Sequence, residues 1–169
     1  MRAVLQRVKQ ASVHVDGKLV SSIGPGILAL VGITHEDAPE QVDTIVKRIL
    51  TTKLWPEGAT IGGDCVIAPQ ESRSWRTSVT ELGAEILCGM FASITSVSQF
   101  TLYAKMKGTK PDFHLAMGGD KAQSCYNDFL AKLRDVYVAD KIKGTLWKLM
   151  MSDGQFGAMM DVSLVNDGA

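Results

Sequence analysis

The first 33 residues carry the pattern that most restricts the fold, because apolar and polar residues alternate there with the period of a β-strand. The run VLQRVKQASVHV, from Val4 to Val15, alternates in two short stretches and contains His14 as a surface or barrel-lining residue. Asp16-Gly17 supplies a hairpin turn, and KLVSSIGPGILALVGI then resumes the strand-like pattern. The chain therefore opens with two or three strands.

Two later segments have helical spacing instead. In DAPEQVDTIVKRIL, Asp37 and Glu40 resemble a capping box with Pro39 in the first turn, and one face is apolar: Val42, Ile45, Val46, Ile49 and Leu50. After Gly118-Gly119, Asp120 is expected to cap KAQSCYNDFLAKLRDVY, whose apolar face is formed by Cys125, Tyr126, Phe129, Leu130 and Leu133. Both patterns predict amphipathic helices.

The remaining segments complete the predicted fold class. Strand-like residues return at the centre of the chain and in FGAMMDVSLVNDGA, where one face is apolar: Ala158, Met160, Val162 and Leu164. The stretch WPEGATIGGDCVIAPQESRS is rich in turn formers and reads as an irregular excursion. Trp55, Trp75 and Trp147 are widely separated and are expected to anchor the core. Strands that open, centre and close the chain, with helices between them, predict a single α+β domain.

Composition excludes several function classes. The 18 basic and 18 acidic residues balance, so any attraction for nucleic acid must come from local clustering. No apolar run reaches the roughly 18 residues that span a bilayer. Cys65, Cys88 and Cys125 form an odd, widely spaced set, which suits a reducing compartment and predicts a soluble, cytoplasmic protein. The three histidines are far apart, so we expect neither a metal site nor a cofactor.

The segment SVSQFTLYAK is the main functional signal, because Ser98, Gln99 and Thr101 place three hydrogen-bonding side chains within four positions. It occurs in fixed order with the opening VLQRVKQASVHVDG, with the basic run that ends KPDF, and with the terminal DGQFGAMMDVSLVNDG. This combination resembles the D-aminoacyl-tRNA deacylases, the D-tyrosyl-tRNA deacylase family. The resemblance covers nearly the whole chain, with apparent insertions around residues 60–70, 88–95 and 142–150 that are expected to be peripheral.

The resemblance implies a fold, an activity and a partner. The implied fold is a closed α+β domain whose strands curl into a barrel-like sheet with flanking helices. The implied protein is a homodimer with both active sites at the subunit interface. The implied reaction is hydrolysis of the ester that joins a D-amino acid, or glycine mischarged on tRNA-Ala, to tRNA, without a cofactor.

Chemistry suggests roles for the residues of this segment. Ester hydrolysis passes through an oxyanion, which backbone N–H groups near Gln99, Phe100 and Thr101 are expected to stabilise while Ser98 and Gln99 hold the geometry. Thr101 has two interpretations. It positions the ester or water while the 2′-hydroxyl of the ribose assists the attack, or it is itself the nucleophile, for which no base lies near it in sequence.

Substrate-binding residues are predicted in three places. Lys105, Lys107 and Lys110, beside Phe113, are expected to meet phosphates of the acceptor stem, with a solvated loop as the alternative. The resemblance implies that Arg7 braces an interface segment supplied by the partner subunit. Further residues expected at the nucleotide pocket and in the terminal motif are Phe156, Met159, Met160, Asn166 and Gly168.

The last residues depart from the family pattern. The family continues from Asn-x-Gly into Pro-x-Thr, and its Gly-Pro peptide, held cis, excludes L-amino acids from the neighbouring subunit's site. Here Gly168 is followed by Ala169, so the domain is interpreted as truncated within the motif or as lacking the chiral filter. Two alternatives to the enzyme therefore stay open: a non-catalytic tRNA-binding homologue and a dimeric scaffold.

Overall fold

The computed structural model describes residues 1–15, 17–89, 100–144 and 160–168. Its strands are, in chain order, β1 Arg2–Val15, β2 Lys18–Ile23, β3 Gly26–Gly32, β4 Lys53–Trp55, β5 Thr60–Gly62, β6 Cys65–Ile67, β7 Thr77–Ser78, β8 Glu85–Gly89, β9 Lys105–Lys107, β10 Lys110–Asp112, β11 Ile142–Gly144 and β12 Met160–Asn166. The helices are α1 Pro39–Thr51, α2 Val79–Leu82 and α3 Gly119–Val136, with 3₁₀ turns at Phe100–Tyr103 and Ala139–Lys141.

The 14-residue strand β1 organises the main sheet. It pairs antiparallel with β2 and β3 in one continuous register from Arg2↔Gly32 to Ala11↔Ile23, so β2 and β3 lie end to end along one edge. Strand β12 pairs antiparallel with the other edge of residues 8–15, with an irregularity between Val8 and Gln10. The predicted hairpin is confirmed, because Val15 pairs with Lys18.

Two parallel pairings extend the sheet to the order β11-β8-β3-β1-β12. Alternate residues of β3 belong to two apolar clusters: Ile27 and Ala29 pack with the helices, and Leu28 packs in a second cluster with Val8 and Leu87. Since successive side chains of a strand point to opposite faces, both faces of this sheet carry a core. The predicted α+β fold, a curled, barrel-like sheet with flanking helices, is confirmed.

Helix α1 buries the predicted apolar face: Val42, Ile45, Val46, Ile49 and Leu50. Its predicted capping box is wrong. Oε1 of Gln41 accepts the N–H of Ala38 at 2.9 Å, whereas Asp37 accepts the N–H of Thr34 at 2.8 Å and pairs with the α-ammonium group of Met1. The Asp37 carboxylate therefore stabilises the loop before the helix, because its partners precede the first turn.

Helix α3 begins one residue before the predicted cap. Its N-cap is Gly118, which has no side chain to bond, and Asp120 lies within the first turn, where a negative charge favours the helix dipole. The apolar face is confirmed for Tyr126, Phe129, Leu130 and Leu133, and Cys125 is half-buried beside it. Among the described residues, none of the helices is both long and apolar enough to cross a membrane.

Two of the three apparent insertions reach the centre of the molecule. Cys88 lies in β8 between β3 and β11, is fully buried, and its carbonyl accepts a hydrogen bond from Oη of Tyr126 at 3.1 Å. Ile142 of β11 is also buried. The expectation that these segments are peripheral is wrong at those residues, because β8 and β11 complete the sheet. Residues 90–95 and 145–150 lie outside the described part of the chain.

The excursion between Trp55 and Arg76 is more regular than predicted. Strands β5 and β6 form an antiparallel hairpin within it, and β4 pairs with β7 at its base. Trp55 is buried as predicted, whereas Trp75 is 57% exposed with a φ of 59°, so the prediction of a core anchor is wrong there. Trp147 lies outside the described residues.

Strand β12 is less buried than its alternation predicts. Val162 is half-buried against the second apolar cluster, but Leu164 is 43% exposed. The predicted apolar face is therefore wrong at Leu164, since β12 ends the described strand order and has a partner on one edge only. Ala158 lies outside the described residues, as does the side chain of Met160.

Candidate active site and tRNA-contact surface

The described part of the predicted catalytic segment is a 3₁₀ turn rather than a strand. The turn comprises Phe100–Tyr103, and the carbonyl of Thr101 accepts the N–H of Ala104 at 3.2 Å. Phe100 is half-buried, Thr101 is exposed and Tyr103 is buried. The turn therefore presents Thr101 at the surface while the residues around it are packed. Ser98 and Gln99 lie outside the described residues.

An aromatic contact joins this turn to the basic run. The rings of Phe100 and Phe113 meet edge to face, with centroids 4.8 Å apart and an interplanar angle of 85°. Such a pair contributes about 0.5–1.5 kcal/mol beyond the burial of its area. The structure thus brings together two predicted site residues that are 13 positions apart.

The basic run forms the hairpin β9–β10, which turns at Gly108 with a φ of 64°. Lys105, Lys107 and Lys110 are all exposed on it. Lys107 pairs with Asp112, but the ammonium groups of Lys105 and Lys110 have no hydrogen bond or ion pair to other described residues. These two cations remain open to an anionic ligand, while the charge of Lys107 is partly compensated.

Asp112 is the centre of a small charged cluster that the sequence pattern did not identify. Its Oδ1 accepts a hydrogen bond from the His114 N–H at 3.0 Å and lies 2.9 Å from Nδ1 of the His114 ring. The side-chain bond from Lys107 and then the backbone bond from His114 hold the pKa of Asp112 far below its ordinary value. The carboxylate is thus charged at neutral pH and fixes the start of the loop that follows the hairpin. The available signal was the spacing of Asp112 and His114, since an Asp side chain often bonds to the backbone two residues later.

Arg7 joins three parts of the fold. Nη1 donates to the carbonyl of Leu54 at 2.7 Å and Nη2 donates to the carbonyl of Asp167 at 2.7 Å. Nε lies 3.0 Å from Oδ2 of Asp167, an ion pair without the alignment of a hydrogen bond. Arg7 therefore braces the terminal motif of its own chain, and its roles toward substrate and a partner subunit stay predictions.

The terminal motif runs beside β1 up to Gly168. The Gln6 amide contacts Oδ1 of Asn166, and the N–H of Asp167 donates to the carbonyl of Arg7 at 3.2 Å. Gly168 is exposed with a φ of 67°, a backbone conformation that favours glycine. Phe156, Met159 and Ala169 lie outside the described residues. Sequence reasoning missed Asp167, the direct partner of Arg7.

Comparisons with known proteins identify the family of this chain. The family model for D-Tyr-tRNA(Tyr) deacylase matches residues 4–169. A D-aminoacyl-tRNA deacylase of Yarrowia lipolytica is 43% identical over 169 residues, which cover 99% of this chain and 92% of the relative. One of Drosophila melanogaster is 45% identical over 168 residues, covering 99% and 87%.

A solved structure gives the same result in three dimensions. The c-Myc DNA Unwinding Element Binding Protein superposes with a TM-score of 0.76 at 39% identity, covering 99% of this chain and 93% of that one. The fold is that of an aminoacyl-tRNA deacylase. The chain belongs to the D-Tyr-tRNA(Tyr) deacylase family.

Proposed function

We propose that this protein is a hydrolase that cleaves the ester bond of D-aminoacyl-tRNA, releasing the D-amino acid and free tRNA. The observation that carries the proposal is the full-length relationship: the deacylase family model spans residues 4–169, so every predicted site residue lies within the match. We place the reaction in the cytoplasm, where translation supplies the substrate. Glycyl-tRNA is a second candidate substrate, since glycine has no side chain that a steric filter would exclude.

In this proposal the segment Ser98–Thr101 binds the reacting ester. Backbone N–H groups at Phe100 and its neighbours stabilise the oxyanion, which is usually the largest contribution in acyl transfer. Exposure of Thr101 supports a direct contact between its hydroxyl and the ester or the attacking water. Thr101 as a nucleophile is the competing mechanism, which requires a general base within hydrogen-bond reach.

The hairpin β9–β10 is the proposed contact for the acceptor stem. Lys105 and Lys110 are exposed cations without described partners, and Phe113 anchors the hairpin to Phe100 beside the proposed catalytic residue. Phosphate contacts of this kind set affinity and register but not sequence preference. Lys107 stays a predicted phosphate contact, with its charge partly compensated by Asp112.

The separation of the two halves of the proposed site supports a homodimer. The catalytic turn touches β1 at Arg2 and the terminal motif touches β1 at Arg7. The two points are five positions apart along the strand, a distance of about 17 Å, and an odd spacing directs the two side chains to opposite faces. A pocket of amino-acid size that contains both halves therefore takes the terminal motif, including Asn166 and Gly168, from a second copy of the chain.

The proposal is tested by following deacylation of matched D- and L-tyrosyl-tRNA. We expect the D-ester to be cleaved faster than it decays in buffer, and the ratio of the D- and L-ester rates tests whether a chiral filter is present. Thr101→Ala should lower kcat roughly two- to tenfold if Thr101 only positions substrate. Thr44→Ala, an exposed threonine of α1, is the matched control.

Two outcomes would change the assignment. Cleavage of the D-ester no faster than in buffer would leave the non-catalytic tRNA-binding homologue as the better description. Complete loss of activity in Thr101→Ala, with an acyl group trapped on Thr101 in the parent protein, would make Thr101 the nucleophile.

A further inference from the structure

We infer that Arg2 is a positioning residue for the catalytic turn: through Leu102 and Tyr103, its guanidinium holds Thr101 in the geometry that hydrolysis requires. The inference rests on the proposed function, because it assumes that the turn Phe100–Tyr103 carries the reaction. In this inference Arg2 acts through the turn and does not contact the substrate.

The geometry of Arg2 carries the inference. Nη1 donates to the carbonyl of Leu102 at 2.7 Å, and Cζ lies 4.5 Å from the centroid of the Tyr103 ring. One guanidinium therefore contacts the two residues that follow Thr101, from a strand 100 positions away in sequence. Arg2 is itself fixed, since it pairs with Gly32 in the main sheet.

The turn needs such an anchor because it is short. Four residues of 3₁₀ helix contain few internal hydrogen bonds, and a single helical turn does not stabilise itself in water. Tyr103 supplies one fixed point, since only 7% of it is exposed. Burial, then Asp37, raises the pKa of its phenol while Arg2 opposes the shift, and the ring presents its face to the Arg2 cation.

An arginine suits this position and a lysine does not. The planar guanidinium donates an N–H to a carbonyl in its own plane while its face lies over an aromatic ring. A lysine ammonium group keeps the charge but is a point donor, so it satisfies Leu102 or Tyr103 but not both in the same geometry. Replacement by lysine should thus recover only part of the function.

The first experiment measures steady-state deacylation of D-tyrosyl-tRNA. Arg2→Gln should lower kcat roughly 10- to 100-fold, the loss associated with displacement of a catalytic group by about 1 Å, with little change in tRNA affinity or Tm. The kcat of Arg2→Lys should lie between those of Arg2→Gln and the parent protein. Arg48→Gln is the matched control, because Arg48 lines the same cavity as Arg2 but has no described contact with the turn.

A double variant separates positioning from general structural loss. Tyr103→Leu should lower kcat as Arg2→Gln does, and the combination should be no worse than either change alone, because both remove the same anchor. Additive losses would show that Arg2 acts elsewhere. A weaker tRNA affinity with unchanged kcat would make Arg2 a substrate contact and overturn the inference.

Hydrogen exchange tests the inference without activity. The Ala104 N–H, which donates to the carbonyl of Thr101, should exchange at least about tenfold faster in Arg2→Gln, while amides of α3 are unaffected. If the parent protein cleaves no D-ester, the proposed function fails but this result still decides whether Arg2 holds the turn. Unchanged exchange at Ala104 would refute the inference in either case.

Discussion

The three cysteines show how tertiary environment divides one residue type into different chemistries. Cys65 is exposed in a surface hairpin, Cys125 is half-buried on α3, and Cys88 is fully buried in the main sheet. Burial raises the pKa of Cys88 to about 12, and burial followed by Asp37 raises the pKa of Cys125. Only the thiolate reacts, so the order of reactivity follows the order of exposure.

We therefore predict that thiol reagents modify Cys65 first at pH 8. Cys125 should react more slowly, and Cys88 at least about 1,000-fold more slowly, since its thiol stays protonated until opening of the sheet exposes it. Mass spectrometry of timed samples measures the three rates. In Cys65→Ser the fast phase should disappear, and rapid labelling of Cys88 in the folded protein would contradict its burial.

At the scale of elements, the close contact between β3 and β8 depends on Gly26 and not on Gly24, the other glycine beside Pro25. A Cβ atom at Gly26 would overlap the backbone carbonyl of Glu85, whereas one at Gly24 would come no closer than 3.9 Å to the Glu85 side chain. The N–H of Gly24 donates to Oε2 of Glu85 at 2.9 Å. Glu85 therefore contacts both neighbours of Pro25: its side chain bonds to Gly24, and its backbone packs closely against Gly26.

Gly26→Ala should destabilise the protein by about 1–3 kcal/mol, because β3 and β8 must separate to admit the methyl group. Gly24→Ala is the matched control and should change the free energy of unfolding by less than about 1 kcal/mol, since its backbone hydrogen bond remains. Urea unfolding measures both. Equal stabilities of the two variants would mean that β3 and β8 are not in the close register described.

At the scale of the whole molecule, we propose that the site is composite. The catalytic turn and the terminal motif of one chain lie on separate parts of β1, as the contacts of Arg2 and Arg7 demonstrate. If a second copy supplies the missing half, two different inactive chains can complement each other. If each site is instead built from one chain only, two inactive chains cannot restore activity in a mixed dimer.

We predict complementation between Thr101→Arg, which blocks the turn, and Gly168→Val, which strains the motif at its positive φ. Each variant alone should be inactive. After subunit exchange in equal amounts, about one quarter of the parent activity should return, because half of the dimers are mixed and each mixed dimer has one intact site. Native mass spectrometry verifies exchange, and mixed dimers without activity would rule out the composite site.

The sequence alone determined the elements that depend on local patterns. Alternation over Val4–Val15 specified β1 and its hairpin, and helical spacing specified the buried faces of α1 and α3, because these periods follow from backbone geometry. The order of motifs also sufficed to indicate the deacylase family. The caps were predicted less well, since Asp37 bonds to the loop before α1 and Asp120 lies inside the first turn of α3 rather than at its N-cap.

Only the tertiary structure decided what depends on distant partners. Contacts between elements far apart in sequence bury Cys88, and none of comparable extent covers Trp75 or Leu164 among the described residues. The bonds of Arg2 with Leu102 and of Arg7 with Asp167 likewise join distant parts of the chain. No local period encodes such contacts, because they depend on which strand becomes central and which stays at an edge. The sequence thus named the proposed site residues, and the fold determined which of the described ones meet within one chain.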